Sequence, residues 1–268
     1  MSFLIYPTPK MMPMQGMIGM GGGATNLFSK PKAASGSNSS SVYFGGTSSK
    51  AWIEGADNAC WAAGTGDLSM EVWLSIEGYS HYMNFVNTRE AAGTSAGWTF
   101  STESNDTLGW YSNGHTYSPA GLCVDDTWTH VLTTRESGTI RLIQDGVLKS
   151  SASNSQNFSN GLFTIGINCS GPDSSGAAGW YKGYMSNMRY IVGSVPSDYS
   201  TTSTTNGTTI FTVPDENLTS SSQGATSGHV KFLGLQDASS ATTAAVACAT
   251  ISTGSHTSAV TVGHDGPF

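Results

Sequence analysis

Apolar and polar residues alternate in short runs along most of this chain, and no segment sustains the 3.6-residue period of a helix. The clearest run is 68–76. Leu68, Met70, Val72, Leu74 and Ile76 fall on one face, and Glu71, Trp73 and Ser75 fall on the other. Successive side chains of a strand point to opposite sides of its sheet, so this spacing predicts a strand with one face in a core. Residues 127–147 predict two strands and the start of a third. Trp128, His130, Leu132 and Thr134 share one face of the first, and Thr129, Val131, Thr133 and Arg135 share the other. Glu136, Ser137 and Gly138 form a short hairpin connection, and Asp145-Gly146 is the pair that a tight turn with two positive φ angles demands. Further strands are predicted at 41–44, 82–86, 98–101, 108–111, 140–144, 162–167, 185–192, 230–235, 244–251 and 259–262. Many turn-bounded strands at short spacing predict an all-β sandwich or jelly roll.

The pattern divides the chain in two. Residues 1–40 form an extended Met/Gly/Pro-rich arm and linker, and 41–268 form the jelly roll, including C-terminal strands that return to cover edges left open near Ser41. Proline at positions 7, 9 and 13 and the lack of a basic leader argue against reading the arm as a secretion signal. A glycine-rich arm gains order only against something, and a partner subunit is weighed ahead of the arm's own domain. The residues expected to make that contact are Phe3, Leu4, Ile5, Tyr6, Met11, Met12, Met14, Met17, Ile18, Leu27 and Phe28.

Composition narrows the function. Only 11% of the 268 residues are charged, and the formal net charge is −7. With no Lys/Arg cluster, that balance argues against nucleic acid as a partner. No apolar run approaches the length of a membrane span, so no membrane partner is expected. Cys60, Cys123, Cys169 and Cys248 are widely spaced, which disfavours a zinc site and leaves disulfides and free thiols both open.

No motif carries catalytic chemistry. Gly93–Gly97 fits G-x-S-x-G but lacks the strand before it and the helix after it that a nucleophile elbow needs, so Ser95 reads as part of a turn. Gly19–Ala24 fits a dinucleotide fingerprint without the βαβ unit that such a site requires. Glycoside hydrolysis needs two carboxyl groups flanking the scissile bond, and Glu71 stands alone on its strand. His81, His115, His130, His229, His256 and His264 are dispersed, and His130 reads as a hydrogen-bonded core residue. Asp125-Asp126 reads as a turn cap ahead of a calcium ligand. No cofactor and no metal are expected. Trp98, Trp110, Tyr111, Trp180 and Tyr181 are candidates for stacking on sugar rings, with core packing weighed ahead of that role.

The order of the segments resembles the laminin-G/concanavalin-like jelly-roll family over 41–268. Glu71 and Trp73 match its "E-x-W" strand. Trp128, His130, Arg135, Asp145 and Gly146 match its "W-x-H-v-x-x-x-R … d-G" hairpin. Gly166, Gly183, Asn187 and Arg189 match its closing section. The C-terminal segment resembles a version found in virion proteins of marine tailed bacteriophages. The resemblance implies a concanavalin-like jelly-roll β-sandwich; because that fold also hosts glycosidases, the expectation that the chain is not an enzyme rests on the missing catalytic motifs. The resemblance also implies a virion structural protein, foremost a capsid decoration or cement protein assembled in the host cytoplasm and held by its arm. Capsid or tail proteins and further copies of itself would be the partners. A tail or fibre component and a lectin-like polysaccharide-binding module are the alternatives, since one fold hosts many functions. Removing residues 1–40 should leave the sandwich folded. In a particle-incorporation assay a decoration protein then stops joining the particle, whereas a lectin retains its glycan binding undiminished.

Overall fold

The computed structural model describes residues 40–46, 51–78, 82–90, 96–103, 106–112, 114–119, 125–168, 179–255, 260–263 and 266–268. The expected arm contacts, the G-x-S-x-G serine and Cys123 and Cys169 lie outside those residues. The strands are β1 (Ser41–Gly45), β2 (Ala51–Gly55), β3 (Leu68–Ile76), β4 (Met83–Asn87), β5 (Thr99–Glu103), β6 (Thr107–Tyr111), β7 (His115–Tyr117) and β8 (Thr129–Glu136). They continue as β9 (Thr139–Gln144), β10 (Val147–Ser153), β11 (Phe163–Ile165), β12 (Lys182–Val192), β13 (Val230–Gly234), β14 (Ala244–Ala247), β15 (Ile251–Ser255) and β16 (Thr261–Gly263).

Two sheets face each other. The larger runs β10-β9-β8-β3-β12-β1-β16, with β13 also pairing β12 and β14 pairing β13. The smaller runs β15-β2-β11-β4-β5-β6-β7. The predicted alternation of β3 sets the core. Its Leu68, Met70, Val72, Leu74 and Ile76 pack with Ile53, Phe85, Phe100, Phe163 and Ile165 from the smaller sheet. Rings fill much of the space between the sheets. Trp61 stacks on Phe163 with centroids 4.5 Å apart, and Trp98 stacks on Trp110 at 4.6 Å. Such pairs add about 0.5–1.5 kcal/mol each beyond the area they bury.

The Asp145-Gly146 turn forms as the sequence demands. Both residues have positive φ, and Gln144 faces Val147 across the two-residue hairpin. A side chain at Gly146 would also collide with the carbonyl of Phe211. β12 is the strand that holds the larger sheet together. Along one edge it pairs with β3. Along the other it pairs with β1 through Lys182–Met185 and with β13 through Ile191–Met188. The handover occurs at a bulge at Asn187, whose φ is 52°. Asparagine tolerates that left-handed geometry, and its side chain is fully engaged. Its Nδ2 donates to Ser186 Oγ, and its Oδ1 accepts from Leu218 N and Gln236 Nε2.

Where the sequence predicts one strand over 244–251, the chain forms the end of one sheet and the start of the other. β14 belongs to the larger sheet and β15 to the smaller, with Cys248 between them bonded to Cys60. The remaining return strand, β16, lies along β1. The disulfide closes a loop spanning 188 residues, which restricts the unfolded chain strongly. Cys248→Ser is expected to lower stability by about 2–5 kcal/mol in denaturant titration while far-UV circular dichroism stays unchanged.

Candidate functional site

The outer face of the larger sheet is divided into a closed half and an open half, and the division follows from Glu71. Glu71 alternates outward from β3 and is 1% exposed. A carboxylate in that position must be compensated, because a lone buried charge costs several kcal/mol. Arg189 of β12 supplies the charge: its Nε donates to Oε1 at 2.7 Å, and its second terminal nitrogen lies 2.6 Å from the same oxygen. The Tyr199 hydroxyl donates to Oε2 at 2.7 Å, and His130 Nε2 of β8 lies 3.2 Å from it. Burial alone would push the Glu71 carboxyl up. Arg189 first, then His130 and Tyr199, outweigh burial and hold it below its ordinary range. Burial, reinforced by Glu71, pushes the Tyr199 phenol far up, which keeps it a donor.

Residues 194–229 form a strap over this half. Arg189 reaches into the strap and donates to the carbonyls of Thr219 and Ser222 at 2.8 and 2.9 Å. Val195, Tyr199, Ile210 and Phe211 pack on Leu132, Ile143 and Leu148. Leu218 packs with Ile191, Val230 and Leu233. The one acid on the central strand is therefore ion-paired beneath a lid, and neither oxygen can give or take a proton from a substrate. His130 is the hydrogen-bonded core residue that its pattern predicts.

The open half lies toward β1. Tyr43 of β1 faces Tyr184 of β12, with ring centroids 4.9 Å apart and planes tilted by 51°. Both are half-buried. The Tyr43 hydroxyl donates to Glu77 Oε2 at 3.0 Å, and Lys182 Nζ lies 3.9 Å from the same oxygen. Burial, then this hydrogen bond to Glu77, raises the Tyr43 phenol. Tyr184 pairs with Ser75 of β3, and Leu74 beside it pairs with Thr129 of β8, which brings half-buried Trp128 next in the row. Behind the row, Trp73 meets the ring of Phe268 edge-on at 5.5 Å.

The stacking candidates, for which core packing is weighed ahead, lie elsewhere. Trp98, Trp110 and Tyr181 are in the core and present no face to solvent. They point inward because their parity matches Phe100, Leu108 and the other buried positions of their segments. Trp180 is buried against Trp52, with centroids 6.1 Å apart. Tyr111 points outward from the smaller sheet, where the Arg89 guanidinium covers its ring at 4.0 Å. These corrections move the accessible aromatic surface to Tyr43, Tyr184 and Trp128. The readable signal was outward parity beside the inward Val42 and Phe44 in β1; for Tyr184 the bulge conceals it.

Asp125 and Asp126 occupy a turn in which Asp126 N donates to Ile76 O at 2.7 Å. Among the described residues no group of three or more His, Cys, Asp or Glu is placed to hold a metal ion. No helix among them is long and apolar enough to cross a membrane.

A family model described as the concanavalin A-like lectin/glucanases superfamily matches residues 44–195. Among solved structures, a Bacteroides ovatus protein assigned to carbohydrate binding aligns with a TM-score of 0.58 and 12% identity. The alignment covers 85% of this chain and 60% of that one, so the chain spans about three fifths of its length. Domains LG4-5 of the mouse laminin alpha1 chain align with a TM-score of 0.43 and 15% identity, over 57% of this chain and 41% of that one. A sialidase module, CBM40, from Ruminococcus gnavus bound to alpha2,3 sialyllactose aligns with a TM-score of 0.43 and 10% identity, over 50% of this chain and 80% of that one. At these identities the likeness is one of fold. No curated protein matches the sequence.

Glu71→Gln tests the closed half. It leaves Arg189 buried without its counter-charge and is expected to cost about 3–5 kcal/mol at neutral pH. Because the folded carboxyl is held below its ordinary value of 4.5, its stabilisation is complete above that pH and fades as pH falls through the lower folded value. Urea titrations should show the gap between parent and variant narrowing as pH falls below 4.5. A gap that does not change with pH would count against the buried ion pair.

Proposed function

Because the chain belongs to the concanavalin A-like lectin/glucanases superfamily, we propose that it is a non-catalytic carbohydrate-binding β-sandwich. The observation that carries this reading is the division of one sheet face. Glu71, the one acid of β3, is sealed under the strap, while Tyr43, Tyr184 and Trp128 stand half-buried on the same face. Sugar rings present apolar C–H faces that pack on aromatic side chains, and their hydroxyls need nearby polar partners. Glu77 and Lys182 stand at the margin in that role. The likeness to a Bacteroides ovatus protein assigned to carbohydrate binding supports the reading at the level of fold. The Cys60–Cys248 disulfide supports an oxidising, extracellular destination, since cytosolic thiols are kept reduced.

The virion reading stands second. Capsid or tail partners, a homo-oligomeric assembly and a place on a particle rest on the apolar arm and on the resemblance of the C-terminal segment. Of residues 1–40 only Ser40 is described, and the compared structures add no support.

Retention of the full chain on a glycan array tests the first reading. We expect selective retention with no release of reducing sugar, and loss of retention in Tyr43→Ala/Tyr184→Ala with the melting curve preserved. A folded parent that no glycan retains would return the arm-based reading to first place.

A further inference from the structure

We propose that the open face takes a single soluble chain of a neutral, extended polysaccharide, laid across the strands over Tyr43, Tyr184 and Trp128. This rests on the carbohydrate-binding reading and names the class of glycan.

Register fixes the row. Tyr43 faces Tyr184, Tyr184 faces Ser75, and the pairing of Leu74 with Thr129 makes Trp128 the next neighbour. Adjacent strands lie about 4.8 Å apart, so the row spans roughly 14 Å from β1 to the edge of β8. That length suits several linked sugars and exceeds one. Ser75, a small side chain, separates the second and third rings of the row. The direction of the row, across the strands, calls for a ligand that is extended.

The tilt of the rings selects the physical form. Tyr43 and Tyr184 are inclined by 51° to each other, so a flat crystalline surface cannot lie on both. A lone chain can turn one sugar relative to the next and meet each ring in succession. Tyr184 is also held from the side: a side chain at Gly263 of β16 would come within 2.9 Å of its ring.

Charge selects the chemistry. The margin of the row holds Lys182, but Glu77 lies 3.9 Å from its nitrogen and offsets it. Glu77 also accepts from Tyr43, and exposed Asp126 adds a further negative charge where its amide meets Ile76. Among the described residues here, acids outnumber the one cation, and the chain as a whole carries −7. A uronate, sulfated or sialylated glycan would bring its charge into a field of the same sign. A neutral chain meets no such cost.

Calorimetric titration of the full-length protein decides the matter, with three probes: soluble mixed-linkage β-glucan, polygalacturonate and microcrystalline cellulose. The expected result is binding to the soluble neutral chain. Tyr184→Ala and Trp128→Ala should each weaken it about tenfold, and Tyr111→Ala, on the other sheet, should leave it unchanged. Circular dichroism and melting curves confirm that each variant is folded. Binding to polygalacturonate or cellulose alone, still sensitive to Tyr184→Ala, overturns the neutral single-chain assignment and leaves the carbohydrate-binding reading standing. No binding to any probe, or binding indifferent to both row substitutions, overturns this inference. If the glycan array is also blank, the broader reading falls with it.

Discussion

A buried carboxylate on the central strand of the larger sheet constrains everything around it. Glu71 cannot be left alone in a medium of low polarity, so the fold must bring a cation and two further donors to it. It does so with residues from separate parts of the chain: Arg189 from β12, His130 from β8 and Tyr199 from the strap. Such a pair is a poor source of net stability, because desolvation cancels most of the attraction. Arg189 has donors to spare after meeting Glu71, and it spends them on the Thr219 and Ser222 carbonyls. The path of the strap is thereby tied to the register of two strands.

That tie explains where the surface is open. The strap lies over the half of the sheet where Leu132, Ile143 and Leu148 need cover. The half toward β1 and β16 carries rings of mixed character in place of aliphatic side chains. Tyr43 and Tyr184 each combine an apolar ring with a hydroxyl, so they can remain half in water without the cost that an exposed leucine cluster would carry. The closed half removes the only acid that could have taken part in hydrolysis on this strand. The open half presents half-buried rings in place of that carboxylate.

Much of this was legible in the sequence, and the rest was concealed for identifiable reasons. The alternation from Leu68 to Ile76 names both the core face and the outward Glu71, because nothing interrupts its period of two. Asp145-Gly146 names its turn, because few other pairs accept positive φ twice. The choice between Trp110 and Tyr111 was concealed because adjacent residues point to opposite sides of a strand and only the sheet decides which side is wet. The stretch from Ala244 to Ile251 read as one strand because both of its halves are apolar. Its crossing between sheets at Cys248 depends on a thiol partner 188 residues away. In β2 the consecutive Ala51, Trp52 and Ile53 are all buried, so no alternation shows, and β7 is only three residues long.

The bulge at Asn187 joins these threads. Without it, the parity that sends Tyr184 and Ser186 outward would send Tyr190 outward and Arg189 into the core. One extra residue between the pairs Ser186–Trp73 and Arg189–Glu71 reverses the alternation. Tyr190 then turns inward, where its hydroxyl donates to Trp61 O at 3.0 Å, and Arg189 turns outward to meet Glu71. The same residue moves β12 from its pairing with β1 to its pairing with β13. A single left-handed asparagine therefore places the aromatic row on one side of the break and the ion pair on the other. Any substitution at Asn187 that straightened the strand would have to bury a guanidinium or expose a core tyrosine. The open and closed halves of this face are consequently one structural choice, and neither can be altered through β12 without the other.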